Sequence, residues 1–178
     1  MSYSDPEYLR FPIGPWQGRP SYSSDDMYYL IDRIRQLPGE YADKLANRSD
    51  DDLNRQYRPD SWTVLQLVHH VADTHLLHYL RLKHALTESD TTAVVGDVDA
   101  WASLDEAQTA PVAFSLTMLQ GTHERLAWLA QTLTPTELAL TYYHPIRQKH
   151  LSLADALSIT VWHAEHHLAH IGLALKNH

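Results

Sequence analysis

Apolar residues along this chain recur mainly every three or four positions, the period of an α-helix with one buried face. Leu30, Ile31, Ile34, Leu37, Tyr41 and Leu45 predict a first long helix over 24–47, with Pro38 set to kink or end it. Val64, Leu67, Val68, Val71, Leu82 and Leu86 predict a second over 63–87, and Thr63 with Gln66 has the spacing of a capping box at its start. Phe114, Leu119, Leu126, Leu129 and Leu133 carry a third from Pro111, well suited to a first helical position, to about residue 133. A fourth opens at Ser152, with Asp155 in capping-box spacing, and runs to about Lys176.

The connections are uneven. Pro6, Pro12, Gly14, Pro15, Gly18 and Pro20 break any helix over residues 1–22, so an irregular arm is expected there. Its Tyr3, Tyr8, Phe11, Ile13 and Trp16 suit it to pack on the body. A polar linker with Asp50, Asp51 and Asp52 joins the first two helices. Residues 88–110, around Trp101, form a long connection with room for a short helix. Thr134 to Glu137 reads as a short helical turn, and Tyr142 to Pro145 as a loop or extended piece. Strand patterning is poor throughout. The expectation is all-α: a four-helix bundle with an irregular N-terminal arm, one domain over residues 1–178.

Composition narrows the function classes. Hydrophobic residues make up 44% of the 178 and charged residues 20%, which suits one sizeable core and not a disordered chain. A net charge of -8 argues against nucleic acid or an anionic membrane as partner, since both select clustered Lys and Arg. No run of about 18 apolar residues suits a membrane span, and residues 1–22 lack a signal-peptide h-region. The sequence contains no cysteine, which excludes disulfides, thiolate metal sites and a protein thiol nucleophile, and fits a cytoplasmic location.

Histidine changes the picture. Of 13 histidines, nine fall in two short stretches: 69, 70, 75, 78 and 84, then 163, 166, 167 and 170. A helix turns about 100° per residue, so His163 and His167 stack on one face, where two imidazoles can reach a single metal ion. His166 and His170 lie beside them. A lone histidine on an amphipathic helix is usually solvated or satisfied by one hydrogen bond; a pair one turn apart, flanked by two more, favours metal. The pattern is not that of a zinc protease, because Ala164 stands where the catalytic Glu of H-E-x-x-H belongs and Glu165 faces away. The second helix must then supply a third ligand from His69, His70, His75 and His78. Periodicity does not choose among them: His75 and His78 fall on the apolar stripe and suit the core equally, and His70 lies on its flank. Asp73, one turn from His70, can orient a ligand, bind metal or accept a proton.

Ser61-Trp62-Thr63-Val64-Leu65-Gln66-Leu67-Val68-His69-His70-Val71-Ala72-Asp73, followed by Thr160-Val161-Trp162-His163-Ala164-Glu165-His166-His167-Leu168-Ala169-His170-Ile171, closely resembles the DinB superfamily. Within it the chain is similar to the YfiT-like subgroup, which includes bacillithiol transferases and proteins described as metal-dependent hydrolases. Phe11-Pro12-Ile13-Gly14, Tyr79-Leu80-Arg81-Leu82-Lys83 and Tyr142-Tyr143-His144-Pro145 are weaker matches, and together they span nearly the whole chain. The resemblance implies one divalent metal per chain, nickel or zinc, held in a cleft by His70, His163 and His167, and makes a homodimer plausible.

Three protein ligands with an open position suit catalysis, since structural sites are usually closed by four. Three functions follow as expectations. The first is transfer of a low-molecular-weight thiol, bacillithiol-like, to a small electrophile. The second is hydrolysis, with Asp73 as the base. The third is a non-catalytic metal- or ligand-binding stress protein. Arg81, Tyr143 and His144 are candidate substrate contacts, Arg81 for a carboxylate of the thiol. Trp62, Trp162 and Tyr142 suit the core as well as a cleft, and Arg147 with Lys149 reads as a solvated pair.

Overall fold

The computed structural model describes residues 6–176. Four long helices dominate it: α2 (Ser24–Leu45), α4 (Val64–Thr87), α7 (Val112–Thr132) and α9 (Leu153–Lys176). Short helices fill the connections: α1 (Pro6–Arg10), α3 (Asp50–Leu53), α5 (Val98–Ala102), α6 (Asp105–Thr109) and α8 (Pro135–Leu138). The fold is an all-α four-helix bundle with one small antiparallel hairpin, β1 (Thr141–His144) and β2 (Lys149–Ser152), before α9.

The long helices form where apolar spacing and caps agree. Thr63 and Gln66 make a reciprocal capping box at the start of α4, as the spacing predicts. Ser152 and Asp155 make the same exchange ahead of α9. Pro111 serves as the N-cap of α7, one position before its expected place. Pro38 neither ends nor interrupts α2, which continues to Leu45.

Three expectations fail. The arm contains α1, because a proline at the first helical position gives up only an N–H with no helical partner. The acidic linker winds into α3, where Ser49 and Asp52 exchange capping bonds. Strand β1 forms where a loop or extended piece is expected, and β2 where no strand is expected. Four residues are too few to establish an alternating pattern, and the pairing Tyr142 to Leu151 is a tertiary choice. Thr91 and Ala93 bond the backbone of Tyr143, tying the long connection to β1.

Both α2 and α4 pack mainly on α7 and α9, so α2 stands diagonally across from α4 and α7 from α9, while α4 and α7 are neighbours. Long connections permit this; short ones would force consecutive helices to be neighbours. Ile34, Leu37, Tyr41, Val68, Leu82, Leu119, Leu126, Leu157 and Ile171 fill the centre at 0% exposure. The arm lies on α9: Trp162 donates to the Gly14 carbonyl (3.0 Å), Trp16 to Ser158 (3.3 Å), and Tyr22 to Asp155 (3.1 Å). Gly14 takes φ 78°, the left-handed region that glycine enters without steric cost. Of the residues expected to seat the arm, Tyr3 lies outside the described residues. Among the described residues no helix is long and apolar enough to cross a membrane.

Candidate metal centre and cleft

The diagonal arrangement brings the middle of α4 against the middle of α9, and with them the two histidine stretches. Nitrogen atoms of His70, His163 and His167 lie within 4.8 Å of one another. Nε2 of His70 is 3.1 Å from Nε2 of His163. Two nitrogens bound tetrahedrally at about 2.0–2.1 Å would stand only a few tenths of an ångström farther apart. Burial, then the nearby His166, pushes the pKa of His70 down to about 4. Burial first, then neighbouring imidazoles, pushes His163 and His167 well below the ordinary value. All three rings are therefore neutral at pH 7, the form that binds metal. The donor set fits a divalent transition ion.

A second trio, His166, His167 and His170, also lies within 4.8 Å. His170 is already engaged: Nε2 donates to the Leu9 carbonyl (3.1 Å), Nδ1 faces His167 Nδ1 (3.4 Å), and Tyr57 stacks on the ring at 3.9 Å. His166 stacks on Trp162 at 4.7 Å, and its buried Nδ1 has no hydrogen-bond partner. The three ligands come from one helix and make no wall of the cleft. The first trio bridges two helices and opens onto that cleft, so it is the better catalytic candidate.

The cleft has a volume of about 390 Å³. His70 and His163 form one part of its wall; Arg81, Tyr142, His144 and Arg147 form the polar remainder. Leu77, Val95, Val98, Ile146 and Ile159 supply apolar surface. No carboxylate lines it among the described residues. Arg81 is 8% exposed, and its Nε and one amine both donate to the Val94 carbonyl (3.0 and 2.6 Å). Burial lowers its pKa, and no carboxylate pairs with it among the described residues. Burial and then the two arginines push His144 down to about 4. The cleft is thus a cationic pocket with apolar sides. Gly96 is on its wall because the Trp101 ring occupies the place a Cβ would take.

Several sequence expectations are redistributed. Asp73 does not line the cleft. It is half-buried on the side of Glu106 and His69, and burial, then Glu106, raises its pKa. Three residues advance a helix by about 300° and four by about 400°, so Thr74, not Asp73, lies under His70; its hydroxyl is 3.4 Å from Nδ1. Tyr143 points away, its ring against His150 at 5.4 Å, while Tyr142 lines the cleft. His144 and Arg81 line the cleft, and Arg147, exposed as a solvated residue is expected to be, also borders it. Trp62 packs beside His70 at 4.7 Å without lining the cleft. His69 holds α4 to α7 through Ser115 and the Ala110 carbonyl. Glu165, on the far side of α9, pairs with Arg33 at 3.0 Å.

His78 was not singled out for a catalytic role by its spacing. It lines the cleft, 5.8 Å from His163 between ring centroids. The Thr160 hydroxyl donates to Ala156 O (2.8 Å) and accepts from His78 Nδ1–H (3.0 Å). That leaves Nε2 of His78 without a proton, able to accept one. Burial, then Arg81, holds its pKa well below the ordinary value.

The DinB superfamily profile matches residues 33–171. The YfiT protein of Bacillus subtilis, provisionally named a metal-dependent hydrolase, is 36% identical over 163 residues, 92% of each chain. A Bacillus pumilus protein with the same provisional description is 37% identical over 168 residues, 94% of this chain and 95% of its own. The solved structure of B. subtilis YfiT, described as an unusual four-helix bundle, superposes with a TM-score of 0.90 over 93% of this chain and 94% of its own.

Proposed function

The chain belongs to the DinB superfamily, and on that footing we propose that it is a metal-dependent enzyme that transfers a carboxylate-bearing, low-molecular-weight thiol to a small electrophile. His70, His163 and His167 hold the ion, with zinc or nickel suited to three imidazoles. When bound, the ion supplies Lewis acidity that lowers the pKa of a thiol reaching it.

The observation that carries this reading is the pairing of a neutral three-histidine cluster with a cationic cleft that lacks a carboxylate among the described residues. Arg81 and Arg147 attract an anion, and the buried Arg81 charge is costly without one. The apolar sides receive the electrophile. Nε2 of His78 accepts the thiol proton, while the sulfur bonds to the electrophilic carbon as its leaving group departs. The nucleophile arrives with the cosubstrate, in keeping with a chain that has no cysteine.

Hydrolysis is the second reading, favoured by the names of the relatives. His78 would then take its proton from water. Metal content of untagged protein, measured by mass spectrometry for the wild type and His163→Ala, tests the centre. A stoichiometric transition ion lost in the variant is expected. Wild type that stays metal-free when zinc or nickel is supplied overturns the reading. Electrophile consumption that requires a thiol supports transfer; ester or amide cleavage without one supports hydrolysis; a metal-loaded protein that does neither is a binder.

A further inference from the structure

His75 and His123 are buried behind the cluster at 0% exposure and have no part in the function proposed above. Their arrangement begins in α2. Pro38 has no N–H, so the helix bond that residue 38 would give to the Ile34 carbonyl is missing. A buried carbonyl left without a donor is costly. His123, from α7, fills the gap with Nδ1 at 2.6 Å from Ile34 O. Its Nε2 is 2.7 Å from Nδ1 of His75, and Nε2 of His75 is 3.0 Å from Nδ1 of His163.

A carbonyl oxygen only accepts, so one end fixes the direction of every bond. His123 donates to Ile34 O through Nδ1–H, and its bare Nε2 accepts from His75 Nδ1–H. His75 Nε2 is then bare and accepts from His163 Nδ1–H. The nitrogen left with a lone pair at the end is His163 Nε2, the atom facing His70. The scheme requires neutral rings. Burial supplies them: His75 and His123 are fully enclosed, where a charged ring without a counter-ion is costly.

We infer that His123 and His75 form a relay of fixed polarity that holds His163 in its Nδ1–H tautomer and presents the Nε2 lone pair to the metal. This rests on the proposed role of His163 as a ligand. Both are positioning residues, since neither reaches the cleft. His167 has a parallel arrangement. His170 gives Nε2–H to Leu9 O, and its bare Nδ1 faces His167 Nδ1 at 3.4 Å.

The test uses the full chain. Long-range proton–nitrogen NMR on metal-free wild type should find the His163 proton on Nδ1 and none on Nε2. Zinc affinity by chelator competition is then compared for wild type, His75→Gln and His75→Leu. Glutamine keeps the polarity, accepting from His163 and donating to His123; leucine keeps only bulk. Leucine is expected to weaken zinc binding about 10–100-fold, and glutamine no more than about threefold. A His163 proton on Nε2, or leucine binding zinc as tightly as glutamine, overturns the relay. If the leucine variant does not fold, the wild-type tautomer decides. If wild type binds no zinc or nickel, the functional reading falls, and the tautomer still decides the relay.

Discussion

Within one turn of α4, His70, Asp73 and Thr74 meet three different environments. His70 faces α9, Thr74 lies under it at 3.4 Å, and Asp73 turns toward Glu106. A helical step of about 100° per residue separates the i+3 and i+4 neighbours enough to send one to the cleft and the other to α6. The arginines differ likewise. Arg147 is exposed and makes no ion pair among the described residues; Arg81 is buried and anchors Val94. Arg147→Ala should therefore raise KM for a carboxylate-bearing substrate about tenfold, the worth of one charged hydrogen bond, with the melting temperature unchanged. Steady-state kinetics on the acid and its neutral ester checks this. Equal effects on both would show that Arg147 does not read the charge. Arg81→Ala should also lower the melting temperature, because it leaves Val94 O without its donors.

At the level of elements, caps and packing contribute separately. The Thr63–Gln66 box begins α4 two turns before His70, and its Oγ1 accepts from Gln66 N–H at 3.2 Å. Thr63→Ala should cost about 1 kcal/mol in denaturant unfolding and leave zinc affinity near wild type, since the mid-helix register is set by packing on α7 and α9. A large loss of affinity would mean that the cap positions His70 directly. Pro38 has an opposite character. It removes one bond from α2, and in exchange the freed Ile34 carbonyl anchors a histidine from another helix. The sequence marks the proline as a disturbance; only the approach of α7 makes it a connection.

Across the whole molecule, buried neutral imidazoles make stability depend on pH. His123 has its pKa lowered to about 4 in the folded chain, against an ordinary 6.5 in the unfolded one. Above pH 6.5 both states are neutral and this group contributes no difference. As pH falls below 6.5 the unfolded chain gains protons the folded chain refuses, so stability drops until about pH 4, where the folded ring protonates too. A shift of that size is worth roughly 3 kcal/mol, and burial acts in the same direction on His75, His78, His163 and His167. Total stabilities of about 5–15 kcal/mol do not survive several such losses. Metal-free protein should show a denaturant midpoint that falls steeply from pH 6.5 toward 4.5 and bound zinc should delay the fall; a flat profile would mean the rings are charged in the fold.

The sequence by itself determined the four helices, the capping boxes that open α4 and α9 and the stacking of His163 and His167, because helical periodicity, capping spacing and an i, i+4 repeat are local properties. The His70 assignment came only from the resemblance, since the flank of a stripe does not say which neighbour it meets. The diagonal packing, the hairpin that brings Tyr142, His144 and Arg147 to the cleft, and the exclusion of Asp73 and Tyr143 were decided by tertiary structure. So was the chain from Ile34 through His123 and His75 to His163, which joins four residues on four helices. Each depends on which surfaces meet across the bundle, and residues 34, 75, 123 and 163 are too far apart in the chain for any local pattern to couple them.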